Sequence, residues 1–435
     1  MKVSKYNIFY KTKDKFIGYN TLNNSVLVIN ENIYHSLIKG LNNLDYFEKK
    51  CPKTFSLLYN KGFIVNNDVD ETLMAKSILY KINNDDSCFH IIINPTLNCN
   101  FNCWYCYENH IKSSRMSDMT ITNILLFIER IIEEKSSLRR IHIDWFGGEP
   151  LLQFNKVVQP ILSKANEHAE QKGIELSSSF TTNGYLLSDK ILDFCSKNNV
   201  KSFQITLDGH KERHNQVRYI RAGEDSYDII VRHIKSALQK GINVTVRLNI
   251  SSETNADIDS ILKSFEDLDK AARKRISFSI NEVWQDRDKV NDEIYTILYE
   301  IRKQGFNAFI YESFSNGIRR TCYADKTNEV VINYDGKVYK CTARNFTQEN
   351  SEGELMNDGT VKWNHKHFDR MNKSAFDLPQ CSICSILPVC NARCSQQLIE
   401  NGTDFCIYDF DNSKKMEFIR KRVQEKLFAA GYKIM

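Results

Sequence analysis

Three cysteines stand close together in the first half of the chain. Cys99, Cys103 and Cys106 are separated by three and then two residues, so one short loop can present three thiolates. Three soft ligands suit an iron–sulfur cluster or zinc. A structural zinc site would want a fourth ligand, and His110 follows four residues after the last cysteine. On a four-iron cluster, three ligands would instead leave one iron open to bind a substrate by its amine and carboxylate.

The spacing of these cysteines, with Tyr105 directly before the last one, resembles the signature of the radical S-adenosylmethionine (radical SAM) superfamily. In that family the open iron chelates the methionine end of SAM. One electron from the reduced cluster cleaves SAM into methionine and a 5′-deoxyadenosyl radical, which abstracts hydrogen from an unreactive C–H bond. The resemblance implies that the cofactor carries the chemistry while the protein supplies position and dryness.

A second motif follows the strand-like stretch Ile141–Phe146. It is a sharp turn made of Gly147, Gly148, Glu149 and Pro150. The two glycines let the backbone approach a ligand closely, and Glu149 offers an acceptor for an ammonium group. The turn resembles the radical SAM family's GGE motif, which holds the amino group of SAM.

A third motif, TLDGHKERHNQVR over residues 206–218, resembles the family's Ser/Thr-Leu-Asp-Gly element followed by His-Asp and Arg. Asn215 stands here where Asp is more usual. The resemblance implies that Arg218 pairs bidentately with the SAM carboxylate. Further candidates for ribose or carboxylate contacts are Thr182, Thr206, Arg247 and Asn249. For the last two, a satisfied polar residue at a strand end is the favoured interpretation.

Seven cysteines follow in the last part of the chain: Cys322, Cys341, Cys381, Cys384, Cys390, Cys394 and Cys406. The first two flank a predicted hairpin with an Asp335-Gly336 turn. A pair of zinc ribbons is one interpretation. The complete order resembles the seven-cysteine SPASM domain, which carries auxiliary four-iron clusters. By resemblance the outer cluster would be held by Cys381, Cys384, Cys390 and Cys406, and the inner one by Cys322, Cys341 and Cys394.

The inner set departs from the SPASM pattern. Related domains often have a further cysteine between the positions of Cys322 and Cys341, and this chain has none there. The inner cluster would then keep an open iron, where a substrate cysteine thiolate could bind and couple to a carbon radical as a thioether. The alternative is that Asp325, a distant cysteine or water fills the site.

The elements that must position these motifs alternate between strands and helices. Strand-like stretches are Phe89–Ile93, Ile141–Phe146, Ser178–Thr182, Phe203–Leu207, Val244–Ile250 and Ile276–Ile280. Such alternation predicts parallel βαβ units, with the chemistry at the strand tips. Six strands are too few for an eight-fold barrel, and the partial (β/α)6 barrel of radical SAM enzymes fits better. The fold class is therefore α/β, with predicted domains at 1–84, 85–310 and 311–435.

Residues 1–84 resemble the winged-helix-like recognition element fused to many peptide-modifying enzymes. Three short strands are followed by a helix that begins near Glu31, with Asn30 as its cap, and by a second helix from about Asp45 to Tyr59. Gly62 then ends that helix. Such an element would bind a leader peptide as an added strand at its sheet edge. A plain structural appendage is the other interpretation.

Composition bounds the function. The 435 residues carry a formal net charge of +5, with 42% hydrophobic and 26% charged residues, which is ordinary globular usage. We find no signal peptide and no apolar stretch of membrane-spanning length, so a cytoplasmic protein without a membrane partner is predicted. This small positive net charge does not indicate a nucleic-acid partner. Clustered cysteines in that compartment more often bind metal than form disulfides.

Together the motifs resemble a radical SAM maturase of ribosomally made peptides. The resemblance implies three [4Fe–4S] clusters and SAM, a precursor peptide whose leader binds the N-terminal domain, and an electron donor such as flavodoxin or ferredoxin. The predicted product is a cross-link, with a thioether as the leading choice. Alternatives are a C–C or C–O cross-link, sulfatase-maturase-like oxidation, or a non-catalytic iron–sulfur or zinc protein that binds peptides. No catalytic base is assigned, although Glu282 and Asp286 follow the sixth strand.

Overall fold

The computed structural model describes residues 1–13, 15–220, 224–251, 258–283, 293–310, 322–390, 394–402, 404–430 and 432. Asp286 lies outside the described residues. Within those ranges, no helix is long and apolar enough to cross a membrane.

The N-terminal segment combines short strands with four helices. Its strands are β1 (Lys2–Val3), β2 (Asn7–Lys11), β3 (Phe16–Asn20), β4 (Ser25–Ile29) and β5 (Ile64–Val65). Its helices are α1 (Glu31–Leu41), α2 (Leu44–Lys50), α3 (Pro52–Asn60) and α4 (Glu71–Asn83). Strands β2, β3 and β4 form an antiparallel sheet in that order, and β1 pairs with β5.

One local prediction for this segment is wrong, and a second, the N-cap at Asn30, is right in position only. The single helix expected from Asp45 to Tyr59 is two helices, because Pro52 disfavours helical backbone at Cys51 and so interrupts the helix there. Asn30 precedes α1 but makes no side-chain cap; its Oδ1 instead accepts from Lys15 Nζ at 2.5 Å. Gly62 does end α3, with a positive φ of 78°.

The middle of the chain alternates between strands and helices as predicted. The strands are β6 (Cys88–Ile93), β7 (Arg140–Trp145), β8 (Glu175–Thr182), β9 (Val200–Leu207), β10 (Asn243–Ile250), β11 (Ile276–Glu282) and β12 (Asn307–Ile310). The helices are α5 (Asp118–Glu134), α6 (Gln159–Gln171), α7 (Asp189–Lys197), α8 (Lys211–Val217), α9 (Tyr227–Gln239), α10 (Ile258–Lys263), α11 (Lys270–Arg275) and α12 (Glu293–Lys303).

The last part of the chain adds short strands and helices. They are β13 (Glu329–Ile332), β14 (Lys337–Tyr339), β15 (Gly353–Leu355), β16 (Val361–Trp363), α13 (His365–Asn372), α14 (Pro379–Ser382), α15 (Ser395–Asn401) and α16 (Asn412–Ala429). The predicted hairpin is confirmed as β13 and β14, with Gly336 at a positive φ of 80° in the turn.

Strands β6 to β12 are parallel and lie in chain order across one sheet. The six predicted strands are confirmed as β6 to β11, and β12 adds a seventh. Beyond β6 the sheet continues through β13, which is also parallel to β6, and then through the antiparallel strands β14, β15 and β16. The α/β fold with a parallel sheet is therefore confirmed.

The two faces of the parallel sheet differ in chemistry. Side chains such as Ile91, Ile143 and Phe203 are fully buried in the main core, together with apolar residues of α5, α6 and α9. Alternate residues lie on the other face, where side chains are half-buried and polar. These are His90, His142, Asp144, Ser177, Ser179, Gln204, Thr206, Thr245, Arg247 and Ser277.

The described chain packs as two compact units. One contains residues 1–85, 313–327 and 368–435, and the other contains 86–312 and 328–367, as far as these are described. In the second unit, Lys340 and Glu329 form a fully buried ion pair, with Nζ 3.1 Å from Oε2. The predicted division into three successive domains concerns chain segments and stays a prediction.

Candidate active site at the strand ends

The three-cysteine loop lies between β6 and α5. Cys99 and Cys103 are half-buried, and Cys106 is exposed. A turn closes the loop through a hydrogen bond from Cys106 N to Cys103 O of 3.1 Å. Burial raises the pKa of all three thiols, that of Cys99 to about 12. Metal binding here would therefore have to displace protons.

The spacing of the three sulfurs bears on the choice between zinc and a cluster. Among the described residues, the only group of three or more His, Cys, Asp or Glu ligand atoms within 4.8 Å of one another is Glu129, Glu133 and His168, on α5 and α6. At least one pair of the loop sulfurs therefore lies more than 4.8 Å apart. A tetrahedral zinc ion holds its sulfurs about 3.8 Å apart, whereas a four-iron cluster binds each thiolate through a different iron. The spread of the loop sulfurs fits the cluster better.

The glycine turn after β7 packs directly on the backbone that leads into the loop. A Cβ added at Gly148 would lie 2.3 Å from Asn98 O, and one at Gly147 would lie 2.5 Å from Thr96 O. Gly148 N also donates to Thr96 O at 3.1 Å, and the next amide, that of Glu149, donates to Asn98 O at 2.9 Å. The two glycines therefore allow the turn after β7 to pack closely against the backbone of residues 96–98, which directly precede Cys99.

The Glu149 carboxylate points into the protein and is fully buried. Its Oε1 accepts from Leu151 N at 3.0 Å and from Thr182 Oγ1 at 2.8 Å, and its Oε2 accepts from Asn183 N at 2.8 Å. Burial raises the pKa of Glu149. Glu149 and Thr182, both candidates for SAM contacts, are thus bonded to each other across the ends of β7 and β8. Their contact with SAM stays a prediction.

Tyr105 connects the cysteine loop to the ends of β9 and β10. Its hydroxyl donates to Asp208 Oδ2 and accepts from Arg218 NH1 at 2.6 Å and from Asn249 Nδ2 at 3.1 Å. Asp208 and Arg218 are both buried, and Arg218 NH1 lies 3.5 Å from Asp208 Oδ2. The guanidinium carbon of Arg218 lies over the ring of Phe101, 5.6 Å from its centroid. The sequence singled out Tyr105 for its place in the cysteine motif but did not reveal these bonds. Tyr105 with Asp208, Arg218 and Asn249 is called the hub below.

Several buried polar atoms around this hub have no hydrogen-bond partner among the residues that the structure describes. They are Asn100 Nδ2, Glu108 Oε2, Asp208 Oδ1 and Arg218 Nε. Buried polar groups are normally satisfied, so these atoms mark a place where a polar ligand is expected. Arg218 Nε can donate to a carboxylate, and Asp208 Oδ1 can accept from an ammonium group. With three adjacent thiols, this donor and acceptor set fits SAM bound beside a four-iron cluster.

The polar face of the sheet carries a cluster that the sequence did not single out. Asp144 Oδ2 lies 2.6 Å from His90 Nε2, and Asp144 Oδ1 lies 3.2 Å from His142 Nε2. His142 also contacts Ser177 and Ser179. Burial opposes ionisation of Asp144, but hydrogen bonds from the two histidines lower its pKa to about 2. The period-two alternation of polar residues in β6 to β8 was the signal for this face.

Three further candidates, Thr206, Arg247 and Asn249, lie on this face, and Asn249 Nδ2 donates directly to Tyr105 OH. Arg247 Nε donates to Asn249 Oδ1 at 2.8 Å, so both are satisfied strand residues, as the sequence favoured. Thr206 lies beside Arg247 in the ladder between β9 and β10. Glu282, the possible base, is the last residue of β11. Any catalytic role for these residues stays a prediction.

The tail cysteines are divided between the compact units. Cys341 directly follows Lys340 at the end of the hairpin in the unit that holds the three-cysteine loop, where Tyr107 OH donates to Thr342 O at 3.0 Å. Cys322 and Cys394 belong to the other unit. The grouping of all three around one cluster stays a prediction.

Asp325, the alternative ligand for the inner cluster, has a partner of its own. Its Oδ1 accepts from Ser395 Oγ, which also accepts from Arg370 NH1 at 2.7 Å. Since Ser395 follows Cys394 and Asp325 lies three residues after Cys322, this bond joins the two cysteine segments. Asp325 therefore already has a structural role here.

The proposed outer set lies in one compact unit. Cys384 N donates to Cys381 O at 2.9 Å, which forms a tight turn. Burial, and then the charges of Cys384 and Cys406, raise the pKa of Cys381, so these three thiols are neighbours. Cys390 is buried in an apolar core that also contacts Cys384. Three neighbouring thiols, with Cys390 in the adjoining core, are compatible with a four-cysteine cubane site, and the assignment of these ligands stays a prediction.

Comparison with known proteins shows what the middle of the chain is similar to. Residues 93–265 match the family model described as the radical SAM superfamily. The chain is 24% identical over 371 residues to the radical SAM cyclopropyl synthase TigE of Paramaledivibacter caminithermalis, which covers 77% of this chain and 75% of that protein.

Solved structures share the fold. The structure of native anSMEcpe with bound AdoMet and Cp18Cys peptide has a TM-score of 0.56 at 20% identity, covering 79% of this chain and 97% of that one. Streptococcus suis SuiB bound to its precursor peptide SuiA has a TM-score of 0.51 at 14% identity, covering 92% of this chain and 97% of SuiB.

Proposed function

We propose that this chain, which carries a radical SAM domain over residues 93–265, is an enzyme that cross-links a ribosomally made precursor peptide. In the leading form of the proposal, a carbon atom of the peptide is joined to a cysteine sulfur as a thioether. The peptide then loses two hydrogens: one leaves as a hydrogen atom from carbon, and the other leaves as the thiol proton. When bound, SAM and the clusters supply the radical that takes the hydrogen atom and the acceptor for the electron left after bond formation.

The observation that carries the proposal is the three-cysteine loop held against the strand ends. Gly148 fixes the backbone beside Cys99, and Tyr105 bonds the loop to Asp208 and Arg218. These contacts hold three thiols next to a donor and an acceptor suited to a zwitterionic amino acid. Such positioning is the part of the catalysis that belongs to the protein.

The polar sheet face supports a role in substrate handling. His90 and His142 each place Nε2 within hydrogen-bonding distance of Asp144, so the carboxylate orients both rings on this face. A proton released by a substrate thiol could be accepted there. The face is half-buried rather than packed with large apolar residues, so it can receive polar peptide groups.

The N-terminal segment supports the peptide as partner. Strands β2 and β4 are the two edges of their sheet in the described chain, and an edge can accept an added strand. Apolar side chains are exposed on or near this element: Val28, Ile33, Tyr46, Leu57 and Tyr59. Exposed apolar groups beside an open edge suit an extended leader peptide. SuiB, which shares the fold, has been solved with a precursor peptide.

A carbon–carbon bond is the second candidate, and the similarity to a cyclopropyl synthase favours it. The peptide would again lose two hydrogens, but no cysteine would be consumed. The two candidates therefore predict the same mass change and different thiol chemistry.

The first test concerns the radical chemistry and needs no peptide. The chain is purified anaerobically and reconstituted, and iron and 5′-deoxyadenosine formed with SAM and dithionite are measured. Wild type should hold about 12 irons, and the Cys99/Cys103/Cys106→Ala triple variant should lose about four of them and all cleavage. Cys51→Ala, which alters an exposed cysteine outside both motifs, is the control and should match wild type. Zinc in place of iron, or no cleavage by wild type, would refute the proposal.

The second test identifies the bond. The chain is co-expressed with each short peptide encoded beside it in its source genome, and the peptides are analysed by mass spectrometry. A loss of two hydrogens with one cysteine protected from iodoacetamide supports the thioether. The same loss with every cysteine still alkylated supports a carbon–carbon or carbon–oxygen bond and rejects the thioether.

A further inference from the structure

The sheet of β2, β3 and β4 is covered on both faces. All five residues of β3 are buried. One face packs on the helices of its own segment, in a core that includes Leu58 and Phe63. On the other face, Ile8, Ile17 and Tyr19 share a core with distant residues of the tail. Those tail residues are Ile386, Val389, Cys390, Ile419, Val423 and Leu427.

A second core repeats this contact nearby. Tyr6, Leu22 and Ala75 of the N-terminal segment pack with tail residues that include Phe376 and Leu387. Cys381 and Cys384 lie against that core, and Cys384 also lies against the first one. Three of the four proposed outer-cluster cysteines thus lie in or against cores that also contain apolar side chains from residues 6–75.

Polar bonds fix the same junction. Thr21 Oγ1, in a side chain that is fully buried, donates to the carbonyl oxygen of Ser385 at 2.6 Å. Ser385 directly follows Cys384. Arg422 Nε donates to Tyr19 OH at 2.7 Å, and Lys426 Nζ donates to Asn24 O at 2.5 Å. The cysteine turn and α16 are therefore both tied to the N-terminal sheet.

The segment that carries Cys381, Cys384 and Cys390 contains little regular secondary structure. Between Cys381 and Cys390 the regular structure is limited to the end of the four-residue helix α14 and one 3-10 turn. Surrounding groups orient metal ligands and control the access of solvent to a metal site. Here many of those groups come from the other end of the chain.

We infer that the N-terminal domain is a structural wall of the outer-cluster site, so that retention of that cluster depends on the face of β3 that carries Ile17. This inference rests on the proposed assignment of Cys381, Cys384, Cys390 and Cys406 as cluster ligands. Coupling between two sites is reciprocal. Loading of the outer cluster therefore stabilises the same domain that is proposed to bind the leader peptide.

The first test compares two truncations within one domain of the full-length chain. Ile17→Ala removes a side chain at the cysteine face, and Leu58→Ala removes an equally buried side chain (both 1% exposed) at the helix face. Reconstituted proteins are exposed to air, and the iron that remains is counted over time. Ile17→Ala should lose the iron of one cluster, about a third of the total, before Leu58→Ala does. Equal loss in the two variants would overturn the inference.

A milder pair keeps the test decisive if Ile17→Ala does not fold. Thr21→Val removes only the hydroxyl that bonds Ser385, and Thr12→Val removes an exposed hydroxyl that bonds Lys15 O at 2.8 Å. Thr21→Val should lose outer-cluster iron faster and shift the potential at which one auxiliary EPR signal appears. If Thr21→Val matches Thr12→Val in both measurements, the inference fails.

The reverse direction is tested by limited proteolysis of the reconstituted chain. Cys384→Ser should speed cleavage within residues 1–85, whereas Cys103→Ser, in the other compact unit, should leave that rate unchanged. Unchanged cleavage in Cys384→Ser would also overturn the inference. The SAM cleavage assay separates the proposals: absence of 5′-deoxyadenosine from a chain with all its iron counts against the proposed function and leaves these comparisons valid.

Discussion

Gly148→Ala should uncouple the glycine turn from the cysteine loop. The backbone at Gly148 does not have positive φ, so alanine is not forced into the left-handed region there. Its effect is steric: the added Cβ would lie 2.3 Å from Asn98 O and 2.6 Å from Asn98 C. Ordinary contact begins at 3.4 Å, so the two segments must separate by about 1 Å.

The displaced atoms are backbone atoms next to Cys99, so a flexible side chain cannot absorb the shift. A misplacement of about 1 Å near reacting groups can cost about 100-fold in rate. We therefore expect SAM cleavage by Gly148→Ala to fall about 100-fold, with weaker retention of the loop cluster. The assay is 5′-deoxyadenosine formation with SAM and dithionite, alongside an iron count.

Gly173→Ala is the matched control. Gly173 has a positive φ of 66°, and an added Cβ there meets no atom of the described residues within 4 Å. This alanine introduces roughly 1 kcal/mol of backbone strain without a clash, in the same domain. If Gly148→Ala cleaves SAM as fast as Gly173→Ala and keeps all its iron, the close packing of Gly148 on Asn98 does not affect the activity, and the reasoning is wrong.

Three further predictions concern buried charge. Tyr105→Phe removes the hydroxyl that donates to the carboxylate of Asp208, which should cost roughly 1.5–3 kcal/mol and lower the guanidinium unfolding midpoint; an unchanged midpoint would contradict the hub. Asp144 has its pKa lowered to about 2 by its histidine partners, so its contribution is present at neutral pH and is lost as pH falls through about 2. Asp144→Asn should therefore destabilise the metal-free chain at pH 7, with a deficit that shrinks in acid; a constant deficit would refute this. Lys340→Met strands the buried carboxylate of Glu329 and should cost roughly 3–5 kcal/mol. Adding Glu329→Gln should restore much of the melting temperature, and no recovery would argue against the pair.

Local patterns in the sequence were enough for the parallel sheet. Apolar residues at every second position, as in Phe89–Ile93 and Ile276–Ile280, predict strands, and β6 and β11 confirm them. The strand β12 was not predicted because it has only four residues, two of which, Asn307 and Phe309, are exposed. The break at Pro52 was visible in the sequence and was given too little weight against the helical pattern around it.

Tertiary contacts could not be read in the same way. Glu149 in a glycine turn suggests an acceptor for a ligand, but the direction of its side chain depends on Thr182 and Asn183, which lie on another strand end. The hub at Tyr105 likewise joins residues more than 100 positions apart. The apolar pattern of β3 shows that Ile17 is buried but contains nothing about what covers it.

The pairing of β13 with β6 has a practical consequence for building hybrid enzymes. A cut near residue 311 looks natural because it separates the cysteine-rich tail from the barrel in one piece. It would divide one continuous sheet, since β13 continues the parallel ladder that β6 begins. A recombinant hybrid should instead inherit residues 328–367 from the parent that gives the barrel, and residues 368–435 from the parent that gives the N-terminal segment. We expect exchange of segments among relatives to follow the same boundaries between the two compact units. The order of segments along the chain is therefore a poor guide to which of them can be inherited separately.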